Sequence, residues 1–391
     1  MRSRSRIAGT VAALAILATA MVGHASGSEG PRIRKDVTSL STAERGDFVR
    51  AVLALKRAPS PFDEGLSYYD QFVKWHVQLS ICEAGDPSAG RRQWGHGGPV
   101  FLPWHRQFLL MFEDALRDVS GKNLTVPYWD WTDHSSVRRV FADDFMGGDG
   151  DPLADFSVTT GPFRAEKWKL TVHNSGAGYG LMKTSSLTRH FGSWPASELP
   201  TEADVRSAFS APRYDVPPYN TASDPAQSFR NALEGNNPVA EARWAACLPD
   251  GRTTPSASPG KFTLHNVVHV WVGGVITPNA DGPRLLGTMT VPLASPNDPV
   301  FFLHHANIDR LWAEWQDAHG LNTYEPRTGY PLNNRDDVMQ PFDTHGIRVT
   351  PGSVDDYRGL GYRYDTSARQ SPSRGRVSSA LPSAYGWSCV L

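Results

Sequence analysis

The feature that most constrains the fold is a set of histidines at helical spacing in otherwise apolar surroundings. In Asn297-Asp-Pro-Val-Phe-Phe-Leu-His-His-Ala-Asn-Ile-Asp-Arg-Leu-Trp312, Asp298 and Pro299 make a helix start: a capping carboxylate, then a residue that needs no N–H in the first turn. Phe301, His305, Ile308 and Trp312 follow on one helical face, apolar apart from its histidine. His265 and His269 lie four apart in Leu264-His-Asn-Val-Val-His-Val-Trp-Val-Gly-Gly274, and so share a face of another helix. His105 opens a third helix with Leu109, Phe112 and Leu116 on its inward face, and His76 shares a face with Phe72 and Leu79 on a fourth. His96 sits in the glycine-rich loop Gln93-Trp-Gly-His-Gly-Gly-Pro-Val-Phe-Leu-Pro103. A lone histidine on an apolar face is ordinarily a hydrogen-bonded core residue. Six of them with almost no carboxylate beside them point to an imidazole-bound metal.

Neutral imidazole suits copper, zinc, iron and nickel. The shortage of carboxylates disfavours a di-iron bundle, which uses Glu-x-x-His motifs, and disfavours magnesium or calcium, which take oxygen ligands. Two copper ions with three histidines each fit the inventory. Reducing dioxygen to peroxide takes two electrons, and two Cu(I) ions give one each. A mononuclear zinc hydrolase is the rival, with three protein ligands and an open position. Its His-x-x-x-His motif usually encloses a glutamate base, whereas Asn266, Val267 and Val268 stand between His265 and His269. The expected fold class is mainly α: an antiparallel four-helix bundle core holding a dicopper site, with long loops and a few short strands.

Along the chain, Ser41-Thr-Ala-Glu44 is a capping box that opens a helix to about Arg57. Further helices are expected over Tyr68 to Ile81, from Pro103, over Ser228 to Glu234, over the His265–His269 segment up to Gly273-Gly274, and over Pro299 to His319. Leu124 to Trp131 reads as an aromatic packing connector, and residues from Asp133 to Asn220 as long loops. Asn236 to Gly260 is an insertion, and Val275 to Ser295 a loop or hairpin. His134, His173 and His190 lack partners at ligand spacing and read as ordinary histidines. The expected domain is 32–366, followed by a loose tail over 367–391.

Arg2, Arg4 and Arg6 precede an apolar run from Ile7 to Val22 and then small residues, the pattern of a signal peptide over 1–25. The alternative is a retained anchor, for which the run is short. Secretion is therefore expected, with the metal acquired outside the cell and a copper-loading helper protein as a candidate partner. A net charge of −1 gives no electrostatic case for nucleic acid or an anionic membrane. Cys82, Cys247 and Cys389 allow one disulfide of open pairing and leave one thiol.

His96-x4-Phe101-Leu-Pro-Trp-His105-Arg106, with Glu113 downstream, resembles the first copper motif of the tyrosinase family. Asp298-Pro-x-Phe301-x3-His305-x3-Asp309 resembles the second. The likeness runs from about Arg34 to Tyr364 and takes in Tyr128-Trp-Asp-Trp131 and Tyr214-Asp-Val-Pro-Pro-Tyr-Asn220; it is nearest to the bacterial members.

The resemblance implies His76, His96 and His105 on one copper and His265, His269 and His305 on the other, with His304 a neighbour and not a ligand. It implies o-hydroxylation of monophenols and oxidation of o-diphenols to o-quinones, with O2 as co-substrate and a small phenolic or o-aminophenolic partner. Asn266 and Glu234 resemble the pair that holds a proton-accepting water; the other reading of Glu234 is a surface carboxylate at a helix end, separated from His265 by the insertion. Asp309 and Glu113 resemble supporting acids, with Asp309 expected to orient a histidine or an arginine such as Arg310; the other reading is plain helix salt bridges. Trp94 stands where fungal and plant members often carry a cysteine joined to the second histidine, so no thioether is expected. Tyr362-x-Tyr364 resembles the pair that closes the core. Catechol oxidase, o-aminophenol oxidase and a haemocyanin-like oxygen carrier are the alternatives on the same centre; for a carrier, the chain leaves little room for a covering domain.

Overall fold

Ser41 accepts the Glu44 N–H and Glu44 accepts the Ser41 N–H, so the capping box read from sequence starts helix α1, Thr42–Leu55. The computed structural model describes residues 31–79, 95–172, 181–182, 185–193, 195–235, 263–277 and 285–368. Helix α2, Tyr68–Gln78, begins at Ser67, whose hydroxyl accepts the Asp70 N–H. The expected extension to Ile81 passes outside the described residues. Helix α3, Phe101–Ser120, starts two residues before Pro103. Its first-turn N–H groups have no intrahelical acceptor in any helix, so proline is tolerated there.

The region expected to be loops contains two short helices, α4 (Val137–Val140) and α5 (Glu202–Phe209). A Thr201–Asp204 capping box opens α5, and that signal was legible in Thr201-Glu-Ala-Asp204. Helix α6 is Phe229–Glu234 and α7 is Leu264–Gly273. Gly274 ends α7 at φ +68°, where an added Cβ would lie 2.3 Å from the Ser193 hydroxyl and 2.4 Å from the His190 carbonyl oxygen.

Helix α8, Val300–His319, carries the motif around His305. Its N-cap is Pro299, one residue later than expected, and Asp298 still serves the start: Oδ1 accepts the Val300 N–H at 3.1 Å. Both Asp298 oxygens also receive Arg189, at 2.8 Å each, while Arg189 Nη1 donates to the carbonyls of Met146, Gly147 and Gly148. The long central loops are thereby tied to the N-terminus of α8.

The fold is mainly α, around a bundle in which α2 packs on α3, α3 on α8, and α7 on α8. Its core is aromatic, as twelve tryptophans suggest. Phe112 and Phe302 stack with ring centroids 3.5 Å apart, and Phe72 meets Phe108 and Phe112 edge-on. Trp129 and Trp131 of the connector are fully buried, and the Trp129 N–H donates to the Leu303 carbonyl. Strands are short. In chain order they are β1 (Arg32–Arg34), β2 (Gly150–Asp151), β3 (Ser157–Val158), β4 (Leu181–Met182), β5 (Val275–Thr277), β6 (Leu285–Leu286) and β7 (Tyr362–Tyr364). β1 pairs in parallel with β7, Arg34 opposite Tyr364. Among the described residues no helix is long and apolar enough to cross a membrane.

Candidate metal centre

Two clusters of histidines lie within the bundle: His76, His96 and His105 in one, and His265, His269, His304 and His305 in the other. In each, one ligand atom per residue lies within 4.8 Å of all the others, and neither contains a carboxylate. α2 supplies His76, α3 supplies His105 and the loop before α3 supplies His96. α7 supplies His265 and His269 one turn apart, and α8 supplies His305. All six residues singled out as copper ligands are brought together in two groups of three.

Their tautomers follow from their neighbours. His76 Nδ1 is 2.7 Å from the Leu293 carbonyl, His105 Nδ1 is 2.8 Å from that of Phe101, and His269 Nδ1 is 2.9 Å from that of Met289. A carbonyl only accepts, so each Nδ1 carries the proton and each Nε2 keeps its lone pair. His265 Nδ1 donates likewise to Asn266 Oδ1 at 2.9 Å, with the Glu234 carbonyl at 3.3 Å. Such partners on the far nitrogen fix the ring and leave the near nitrogen for a metal.

The Nε2 atoms of His265, His269 and His305 stand 3.1, 3.3 and 3.3 Å from one another. For His265 and His269 these are lone pairs facing each other, not hydrogen bonds, and without a cation between them they would repel. Imidazole–metal bonds of about 2.0 Å at near-tetrahedral angles place nitrogens about this far apart. In the other group, His76 Nε2 and His105 Nε2 are buried with no hydrogen-bond partner. Buried polar atoms are normally satisfied, and both of these have a lone pair free to serve a cation. The residues present therefore fit two imidazole-bound ions.

The two triads are neighbours. His105 and His305 stack with centroids 4.3 Å apart and planes at 16°. Phe101 packs against His105 and His265, and Phe301 against His76 and His305. This dry surround lowers the imidazole pKa values: burial takes His76 down to about 3 and His269 to about 4. It holds His96, His105, His265 and His305 well below the usual value. All six rings are neutral at pH 7, as ligands must be.

Glu234 is not a surface carboxylate. It is buried, and Oε1 accepts the Gly97 N–H at 2.6 Å while Oε2 accepts Arg230 at 3.0 Å. Burial raises its pKa to about 6, against the lowering effect of Arg230. Nor does the insertion separate it from His265. Gly235 and Thr263 meet so closely that a Cβ on Gly235 would lie 1.8 Å from the Thr263 carbonyl oxygen. The chain thus returns at Thr263 to the point it left.

Asp309 holds arginines, as the sequence reading expected, but Arg310 is not one of them. Arg310 donates to Asn307, Glu314 and Asp130 instead. Asp309 accepts Arg106 Nε at 2.6 Å, Arg34 Nη1 at 2.8 Å, and the hydroxyls of Tyr362 and Tyr364 at 2.6 Å each. The residue after Asp309 points a different way around the helix, and the partners come from α3, β1 and β7. Glu113 accepts Arg34 Nε at 2.7 Å and the Val126 N–H at 3.0 Å. Both acids support the bundle, with Arg106 adjacent in sequence to His105.

His134 and His190 bind the carbonyls of Pro200 and Val275, as ordinary histidines do. His173, Trp94, Cys82, Cys247, Cys389 and the Asn236–Gly260 insertion lie outside the described residues, as does all of the tail except the start near 367. Sequence reasoning missed Arg34 and the carbonyls of Leu293 and Met289. Backbone acceptors leave no side-chain signature, and Arg34 is recognisable only once β1 is paired with β7.

A family model described as the common central domain of tyrosinase matches residues 66–318. The chain is 38% identical over 338 residues to a tyrosinase of Streptomyces lincolnensis, covering 85% of this chain and 99% of that protein. It is also 38% identical over 348 residues to a grixazone synthase of Streptomyces griseus, with the same coverage of 85% and 99%. Among solved structures, a tyrosinase from Burkholderia thailandensis shares the fold at a TM-score of 0.51 and 18% identity, over 86% of this chain and 74% of that one.

Proposed function

The chain belongs to the tyrosinase family of copper oxidases, and from that premise we propose that it is an exported enzyme that uses O2 to hydroxylate monophenols and oxidise o-diphenols to o-quinones. The observation that carries the reading is the pair of histidine triads, three neutral nitrogens each, in contact through the stacked rings of His105 and His305. His76, His96 and His105 would hold one copper ion, and His265, His269 and His305 the other. When bound, the pair supplies the two-electron reduction of O2 that phenol oxidation requires.

The protein's own contribution is position, dryness and proton handling. Phe101 and Phe301 wall the rings from water, and carbonyls hold the His76, His105 and His269 rings in place. A monophenol with a pKa of about 10 must shed its proton before it can coordinate a metal. Glu234 and Asn266 are the proposed holders of the water that takes it. Glu234 reaches the His96 loop through Gly97, and its own carbonyl lies 3.3 Å from His265 Nδ1. A carboxylate has about four acceptor sites, so accepting Gly97 and Arg230 leaves capacity for a water. Asn266 lies on α7 beside His265.

The second reading is oxidation of o-diphenols or o-aminophenols without the monophenol step. It is kept because relatives of equal identity to this chain carry different names, one a grixazone synthase and one a tyrosinase. Oxygen uptake by the copper-loaded protein with tyrosine, catechol and o-aminophenol in turn separates these readings. Uptake with tyrosine supports the first; uptake confined to the other two supports the second; stoichiometric, reversible uptake without substrate marks a carrier. Export rests on the Arg2–Ala25 pattern, and delivery of copper by a helper protein would follow from it. Recovery of the intact N-terminus from inside the producing cell would refute export.

A further inference from the structure

His304 is fully buried, and neither ring nitrogen has a hydrogen-bond partner among the described residues. Burial pushes its pKa well below the usual value, with the His265 backbone acting the other way. A core histidine is normally satisfied through at least one nitrogen, and a leucine would fill apolar space without this penalty. Its surroundings are the second triad. Its ring centroid is 5.1 Å from His265, 4.9 Å from His269 and 5.1 Å from His305. Those distances fall inside the spread of 4.6 to 5.5 Å among the three rings themselves. It lies nearly parallel to His265, at 16°, and one of its ring nitrogens is within 4.8 Å of a ring nitrogen of each of the other three.

The four rings divide into two kinds. His265 and His269 are fixed through Nδ1 by oxygen acceptors. His304 and His305 are not: His305 Nδ1 is also buried without a partner. The two unanchored rings are consecutive on α8, and either can turn without first breaking a hydrogen bond through Nδ1.

We propose that His304 is a reserve ligand for the second ion, binding it together with His265 and His269 whenever His305 does not. The proposal rests on the dicopper reading. It makes ion entry a sequence of ligand exchanges between neighbouring imidazoles rather than a single capture by three rings at once.

The test is Cu(II) loading followed by desalting and metal analysis of the full chain. Wild type, His305→Ala, His304→Leu and the double variant are compared, with tryptophan fluorescence quenching to time uptake. His305→Ala is expected to keep the second ion, with affinity lowered ten- to a hundredfold, and the double variant to lose it. His304→Leu is expected to bind both ions at equilibrium but to take up the second at least tenfold more slowly. Equal copper loss in His305→Ala and the double variant, or second-ion uptake at the wild-type rate in His304→Leu, overturns the proposal. If His305→Ala does not fold, His305→Asn replaces it, and the uptake rate of His304→Leu decides independently. A wild type that binds fewer than two ions would instead refute the dicopper reading itself.

Discussion

The Glu234 carboxylate accepts the backbone N–H of Gly97 at 2.6 Å and thereby ties helix α6 to the loop that carries His96. The same residue presents its carbonyl to His265, so it touches the surroundings of both triads. Glu234→Gln keeps an oxygen for Gly97 but removes the basic carboxylate. Monophenol turnover is expected to fall about a hundredfold, the usual scale for a lost general base. Diphenol turnover and copper content should change far less. Equal loss on tyrosine and catechol would remove Glu234 from proton transfer.

His105→Ala should leave one copper per chain and no phenol oxidation, because a single ion cannot supply both electrons. Metal analysis paired with oxygen uptake checks this. Two ions and full activity would show the ligand assignment to be wrong.

The buried histidines set a pH dependence for the metal-free protein. His76 at about 3 and His269 at about 4 lie below their value of about 6.5 in the unfolded chain, owing to burial. Below pH 6.5 the unfolded state therefore binds more protons than the folded one, and stability rises with pH. The melting temperature of the copper-free protein should fall as pH drops from 6.5 toward 3, and change little between pH 7 and 8 from this cause. Copper loading should raise it at pH 7, because the ions bind the folded state. A flat melting profile between pH 6.5 and 4 would contradict the buried, neutral rings.

Asp309→Asn strips the carboxylate partner from Arg106 and leaves Arg34 with Glu113 alone, both arginines being fully buried. Losing one partner of a buried ion pair typically costs about 3–5 kcal/mol. Urea denaturation should show a loss on that scale. A change within about 0.5 kcal/mol, the range of ordinary surface substitutions, would mean the hub carries no net stability.

Gly235→Ala tests the junction beside Glu234. Its φ of +80° and the 1.8 Å approach of an added Cβ to Thr263 leave no room for a side chain. The variant is expected to lose copper at the His265–His269 pair or to fail to fold. Circular dichroism and metal analysis distinguish the two, and wild-type values in both would refute the tight junction.

Much of the centre was legible in the sequence because ligands on helices obey a spacing rule. His265 and His269 had to face one way, and His305 had to share the face of Phe301 and Ile308. His76 and His96 were weaker signals, and the resemblance alone put them on one ion with His105. What the sequence could not display were contacts distant along the chain. The choice of Arg34 and Arg106 over Arg310 as partners of Asp309 depends on which way α8 turns that carboxylate. The rival reading of Glu234 as a surface carboxylate arose for a related reason: the insertion suggested distance, while Gly235 and Thr263 are in contact. Helix α5 was missed although its capping box was present, because the surrounding turn residues outweighed it.

The parallel pairing of Arg32–Arg34 with Tyr362–Tyr364 has a consequence for how the molecule is made. The Arg34 guanidinium lacks its full set of acceptors until both Asp309 and Tyr364 have been synthesised. A nascent chain halted before β7 therefore carries every histidine of the centre but not the clasp that shuts the bundle around them. Completion of the enzyme waits on nearly the last residue of the described fold to leave the ribosome.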